Sequence, residues 1–353
     1  MLANHILAGR LLCLLLAVWV LPQAGITQNP TTENLRGISV VSDKVAWASG
    51  THGTYLRTLD GGHSWQASQV PGAEALDFRD VDAFDSNLAY LLAAGPGEQS
   101  RIYKTTDAGK HWTLQFTNQD PKGFFDCMAF WDRGHGIAVG DPTPTGRGLS
   151  FQLIITDDGG AHWRPLSPAS LPPAIEGEGA FAASGTCIAV QGKKNAWFAT
   201  GGTAARVFRS RDAGKTWTVA ETPIVHGADS TGIFSIAFRD AKHGVIAGGD
   251  YKHPEQAGPN LAFSDDGGRT WKLSDASPQA YFSAVAFDRR NHRLLAAGSA
   301  LAIELRGNST RQISIQNLNA LGVSHDGHAL AVGPKGVIVN LDAARELPTS
   351  RHR

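Results

Sequence analysis

Short runs of alternating apolar and polar residues, parted by Gly or Asp-Gly turns, occupy nearly the whole chain after residue 34. A period of two over four to eight residues predicts half-buried β-strands. Four such strands stand out at 233–239, 244–248, 261–264 and 271–274, and an equivalent set at 35–41, 45–49, 55–58 and 65–68. Further units begin near Asp77, Phe124 and Phe181. A sixth runs from Tyr281 through 301–305 and 311–315, and a seventh comprises 320–324, 328–333 and 336–341. The seventh has three strands, because 342–353 is polar and contains Pro348; the segment around 26–34 is expected to lend the fourth. A ring closed in this way has no open edge between its first and last units. The expectation is all-β: a seven-bladed β-propeller of four-stranded antiparallel blades, closed by an N-terminal strand.

One eight-residue pattern punctuates five of the seven units: Ser or Thr, any residue, Asp, a small residue, Gly, two variable residues, Trp. It reads TLDGGHSW at 58–65 (Asp60, Gly62, Trp65) and TTDAGKHW at 105–112 (Asp107, Gly109, Trp112). It recurs as TDDGGAHW at 156–163 (Asp158, Gly160, Trp163), SRDAGKTW at 210–217 (Asp212, Gly214, Trp217) and SDDGGRTW at 264–271 (Asp266, Gly268, Trp271). The aspartates lie 47, 51, 54 and 54 residues apart, a period that signals stacked supersecondary units. Turn chemistry explains the residue types. The carboxylate accepts backbone N–H bonds, Gly supplies a positive φ, and Trp wedges an aromatic face against the blade. Five copies sharing one catalytic task make no chemical sense, so they are read as folding elements.

This repeat resembles the Asp-box, or bacterial neuraminidase (BNR), repeat. The fuller units, such as 35–65 and 232–271, resemble propellers of the photosystem II stability/assembly-factor-like family, over about 35–341. That resemblance implies a chaperone-like scaffold binding a membrane-protein precursor, with many relatives exported from non-photosynthetic bacteria. The Asp-box also occurs in sialidases, which implies a test for catalysis. The Arg-Ile-Pro signature is absent, Arg36-Gly37-Ile38 being no substitute, and five tyrosines leave few nucleophiles. Neither a G-x-S-x-G elbow nor a phosphate-binding loop followed by a helix is present.

Bulk properties narrow the partner. The 353 residues carry a formal net charge of zero, with no basic stripe of the kind nucleic-acid binding needs. Residues 1–24 read as a secretory signal: His5 and Arg10 precede an apolar run, 11–21, too short to span a bilayer comfortably. An uncleaved anchor is the alternative, and Cys13 lacks the small residues that precede a lipidation site. A periplasmic or secreted, monomeric propeller of residues 25–353 is expected. In an oxidising compartment Cys127 and Cys187, at matching places in successive units, either pair or remain buried thiols; pairing needs Cα atoms within about 7 Å.

In a four-stranded meander the Asp motifs share a face with the short one–two turns. The long connections, 141–152, 165–179 and 250–260, emerge on the other face, where binding is expected. The candidates there are Arg36 and Arg79, which share an inner-strand position, and Asp141, Glu178, Asp250 and Tyr251. Two guanidinium groups suit an acidic protein segment. Carboxylates gathered from Asp141, Glu176, Glu178 and Asp250 suit a glycan or a metal, and the plainer reading is that they bond their own loops. His226, His243, His253 and His292 show no ligand spacing. No metal or cofactor is expected. The leading expectation is a non-catalytic protein-binding scaffold; the alternative is a carbohydrate-active propeller, with a glycoside hydrolase as the enzyme it would be.

Overall fold

The computed structural model describes residues 29–275, 280–307 and 309–342. Seven antiparallel sheets form, the strands of each lying side by side in sequence order; the sheet of blade five also takes in two short strands, Glu178–Gly179 and Gly201–Gly202, from the chain before and within blade four. Their inner strands are Leu35–Val40, Phe78–Ala83, Phe125–Phe130, Ile188–Gln191, Thr231–Phe238, Ala284–Asp288 and Ala320–Val323. Each neighbours the next around a ring, and the last returns to the first, giving a seven-bladed propeller. Closure is direct. Leu35 N–H donates to Gly333 O (3.1 Å), and Asn319 Nδ2 to Leu35 O (2.8 Å).

Among the described residues the seventh sheet has three strands, Ala320–Val323, Ala329–Val332 and Ile338–Asn340. The expected fourth strand falls partly on residues 26–28, outside the described ones; 29–34 forms no strand and is tied to blade seven by Gly336 N–H donating to Glu33 O (2.7 Å). Residues 1–24, where a signal segment is expected, also lie outside them. No helix of the described residues is long and apolar enough to cross a membrane. Two expectations need correction. The stretch 141–152 is no loop: strands Gly136–Thr145 and Gly148–Thr156 continue past a bulge at Gly140/Pro142 as a projecting hairpin. Blade four starts at Ile188, not near Phe181, because 180–183 peels away to line the central opening.

The repeated motif builds the same turn five times. The Ser or Thr hydroxyl accepts the Gly N–H four residues on, as Thr58 Oγ1 does from Gly62 (3.0 Å). The Asp Oδ1 accepts the backbone N–H of the residue four ahead of it, at 2.9–3.0 Å in all copies. Its Oδ2 takes that residue's side chain: Ser64, His111, His162, Thr216 or Thr270. These bonds hold Asp60, Asp107 and Asp158 down to about 2, so the carboxylates are ionised and fully engaged.

The small residue after Asp has a role the sequence did not disclose. It adopts positive φ even where it is Ala108 (69°) or Ala213 (60°). Its N–H then donates to the one–two turn of the same blade, as Ala213 does to Lys194 O (2.8 Å) and Gly159 to Gly134 O (2.8 Å). The turn's carbonyls face the preceding blade. Tyr90 Oη donates to Gly159 O (2.8 Å), Trp197 Nε1 to Gly267 O (2.9 Å), and His328 Nε2 of blade seven to Gly61 O of blade one (3.1 Å). Each motif thus clamps its own two turns, and those at Gly61, Gly109, Gly159 and Gly267 also accept from the preceding blade.

The core lies in the seams between blades. Between blades four and five, Trp197 stacks on Phe238 (centroids 3.7 Å apart, 11° between planes), and Trp271 meets Phe238 edge-on at 6.0 Å. Between blades three and four, Cys127 and Cys187 form a disulfide with Cα atoms 6.1 Å apart. It closes a 60-residue separation, worth about 4 kcal/mol in the chain-entropy account.

Candidate functional site

On the face opposite the Asp motifs, four inner strands begin with the same irregularity. Pairing skips one residue between Leu35 and Gly37, Phe78 and Asp80, Phe125 and Cys127, and Ile233 and Ser235. A bulge re-aims the extra side chain. The skipped residues are Arg36, Arg79, Asp126 and Phe234, and all four line one cavity of about 580 Å³ at the mouth of the central channel. Asp141, Phe181, Tyr251 and Tyr281 complete its chemistry.

Four of the six binding residues expected from the sequence meet here: Arg36, Arg79, Asp141 and Tyr251. The other two are elsewhere. Glu178 is buried in an ion pair with Arg206 and also accepts from Thr200 Oγ1 (2.6 Å) and Ile175 N–H (2.9 Å). Asp250 accepts from Lys252 N–H (2.9 Å) and pairs with His253 Nδ1 (2.7 Å), fixing the loop that carries Tyr251. Both therefore anchor loops at the edge of the mouth and do not join a carboxylate cluster. The scattered histidines likewise serve turns: His243 pairs with Asp240 (2.8 Å). Among the described residues no group of three metal-ligating side chains comes together.

The two arginines differ in their freedom. Arg79 is committed, with Nε 2.5 Å from Asp77 Oδ2 and Nη1 donating to Ala182 O (2.9 Å). Arg36 is half-buried and its Nε has no hydrogen-bond partner. Burial, with the neighbouring Arg79 charge, pushes its pKa down from the ordinary arginine value. A desolvated, unsatisfied guanidinium gains from an incoming acceptor.

The acids answer the same logic with opposite sign. Asp126 is buried, and burial together with the Asp141 charge pushes it well above the carboxylate range; its Oδ2 is also unsatisfied. Desolvation raises Asp141 to about 6, although Ala180 N–H donates to it (3.0 Å). Around these charges stand Phe181 and Phe234, stacked 4.0 Å apart, with Tyr281 edge-on to Phe234 at 4.8 Å and Tyr251 at 6.1 Å. Tyr251, 47% exposed, is the ring that solvent reaches most freely. Asp126 escaped the sequence reading, although aligning inner strands on their first buried residue places it level with Arg36 and Arg79.

Below the mouth, Asp80 and Asp82 tie inner strands together by accepting Met128 N–H (2.7 Å) and Phe130 N–H (3.1 Å). Enclosure raises Asp82 to about 7. In the unfolded chain an aspartate titrates near about 4. The folded state therefore holds this proton between about pH 4 and 7, and stability falls as pH rises through that window, then levels off. Asp82→Asn, which still offers Phe130 an acceptor, is expected to flatten the slope and to gain on the parent at pH 8 relative to pH 4. Urea unfolding at both pH values measures it; an unchanged slope refutes the assignment.

Comparison with known proteins places this architecture. The BNR/Asp-box repeat family matches residues 262–273, a span that encloses the fifth motif. The photosystem II assembly lipoprotein Ycf48 of Synechococcus sp. (strain CC9902) is 24% identical over 266 residues, covering 73% of this chain and 68% of that protein. YCF48 from Cyanidioschyzon merolae superposes with a TM-score of 0.62 at 18% identity, covering 90% of this chain and 98% of that one. YCF48 bound to D1 peptide gives 0.59 at 19% identity, covering 89% and 95%. The WD40 propeller domain of Doa1 gives 0.59 at only 10% identity, covering 90% and 94%, so such structural likeness speaks for the fold.

Proposed function

We propose that this BNR/Asp-box propeller of the photosystem II assembly-factor type is an exported, non-catalytic scaffold that holds a segment of a membrane-protein precursor at its channel mouth. The observation that carries the reading is the set of four bulges, which present Arg36 and Arg79 beside Phe181, Phe234, Tyr251 and Tyr281. Aromatic rings and arginine are the side chains that dominate protein-binding hot spots. The five Asp motifs support it from the other side, since their carboxylates are engaged in holding turns. Likeness to Ycf48, one of whose structures is bound to D1 peptide, adds support for a precursor segment as the ligand class. Acidic or C-terminal carboxylate groups of that segment face Arg36, and apolar side chains rest on the rings.

Affinity capture from membrane and periplasmic fractions, read by mass spectrometry, tests this. The wild type is expected to retain a protein partner that Arg36→Glu/Arg79→Glu loses by at least tenfold. Capture of no partner by the wild type counts against the scaffold.

A second reading has its own observation. Asp126 and Asp141 are neighbouring acids with raised pKa values in an aromatic-lined cavity, a pairing that suits glycan binding or glycoside hydrolysis. Polysaccharide cleavage by the wild type that Asp141→Asn abolishes would put this reading first.

A further inference from the structure

Five of the seven seams are filled by an indole from the motif of the following blade. Trp65 packs between blades seven and one, Trp112 between one and two, and Trp163 between two and three. Trp217 and Trp271 fill the next two seams. Blade six has no such motif: Ala302–Arg306 turns almost at once into Ser309–Ile313. Where its indole would lie there is a cavity of about 800 Å³, lined by Phe263, Phe287, Leu294 and Leu305, with Arg239 and Arg289 beside them.

The register shows how both walls have been remade around this gap. Blade five pairs Val245 with Phe263 at the position where blades one, two and four pair Trp47 with Arg57, Tyr90 with Lys104 and Trp197 with Arg209. In blades one and two that cation reaches forward, Arg57 to Ser86 O (2.9 Å) and Lys104 to Gly159 O (2.7 Å). The acceptor of Lys104, Gly159 O, belongs to an Asp-motif turn, which blade six lacks, and blade five carries an apolar ring instead. Across the seam, the inner-strand position of Phe238, which pairs with Gly244 and stacks on Trp197, is Asp288 in blade six, pairing with Arg293. Arg293 swings to the other side, bonding Asp288 (2.6 Å), Glu304 (3.1 Å) and Asp342 (2.5 Å), and so braces the seam between blades six and seven with ions. The seam between five and six is packed further in by Val245, Ala247, Phe282 and Val285, and is left open only where the cavity lies.

We propose that this seam is a binding site for a planar aromatic carboxylate, its ring taking the place of the indole found in the other seams. The floor supplies the apolar surface a ring needs. The carboxylate is assigned to Arg239 and Arg289. Arg289 donates Nη2 to Phe238 O (3.1 Å), and Arg239 Nε stands 3.6 Å from Asp240, which His243 already holds at 2.8 Å. Guanidinium groups stack on rings and receive carboxylates in one geometry. The site belongs to blades five and six and is separate from the channel mouth.

The test uses indole-3-acetate as the probe, with 3-methylindole as its neutral counterpart. Calorimetric titration of the full chain is expected to give saturable binding at a dissociation constant on the order of 1 mM or below. 3-Methylindole should bind at least tenfold more weakly. Phe263→Arg, which fills the cavity with the side chain of blades one and four, and Arg289→Gln, an exposed change, should each cost at least tenfold. Crystals soaked with the probe should place the ring against Phe263 and Phe287. No saturable binding, equal affinity for both probes, or binding that Arg289→Gln leaves intact overturns the proposal.

Discussion

Trp217→Ala is expected to lower folding stability by about 3–5 kcal/mol, the range for truncating a buried aromatic to alanine. The indole is 6% exposed, meets Phe198 edge-on at 5.2 Å, and donates Nε1–H to Gly214 O at 2.9 Å. Its backbone N–H donates to Ser170 O (3.0 Å), a bond that alanine retains, so the loss is that of the side chain. Collapse cannot refill the void, because the Cys127–Cys187 bridge holds the same seam at a fixed width. The fall in melting temperature should be on the order of 10 °C. Trp217→Phe keeps a ring in the seam and should lose less than half as much. Chemical denaturation of the three proteins measures the effect, and a loss below about 1 kcal/mol for alanine would mean that the motif does not hold the seam.

A loss of similar size is expected for Arg206→Met, for an electrostatic reason. Arg206 Nε donates to Glu178 Oε1 (2.9 Å) and Nη2 to Pro173 O (3.0 Å), while the Glu178 side chain is fully enclosed. Removing one partner of a buried pair leaves the other charge desolvated and costs about 3–5 kcal/mol. Glu178→Leu/Arg206→Met removes both and should recover most of it; the double-mutant cycle isolates the coupling. The consequence reaches the mouth. Glu178–Gly179 pairs with Gly201–Gly202, which joins the inner strand of blade five at Gly232, and Ala180–Ala183 follow directly into the cavity wall. Limited proteolysis should therefore cut Arg206→Met first within 165–183. A variant as stable and protease-resistant as the parent rules out this anchoring role.

The chain's architecture was legible to the extent that it rests on local rules. Asp60, Gly62 and Trp65 announce a turn because all three act within eight residues, and repetition turns a turn into a ring. Period-two alternation located the strands, and Leu35 and Phe78 aligned the inner ones well enough to pair Arg36 with Arg79. What stayed hidden depends on partners far away in sequence. Glu178 reads as a loop acid until Arg206, 28 residues on, covers it. Ala108 and Ala213 read as tolerated small residues, although each must take a positive φ to bond the adjacent turn. Asp126 needed the bulge, and the hairpin at 136–156 needed the pairing itself: its prolines and glycines read as loop, yet Pro142 and Gly148 sit opposite Phe151 and Thr145. Absence of the motif from blade six was visible, but the cavity it leaves emerges only from the register of two blades.

Partner capture run in parallel on Arg36→Glu/Arg79→Glu and Trp217→Ala, each with its melting curve, tests the division of labour most directly. The arginine pair, in which the Arg79 change also releases Asp77 and Ala182 O, should melt closer to the parent than the tryptophan variant and lose the partner, while the tryptophan variant, assayed well below its melting point, should melt early and keep it. If the folded tryptophan variant loses the partner and the arginine variant retains it, the Asp-motif face does the binding and the channel mouth does not.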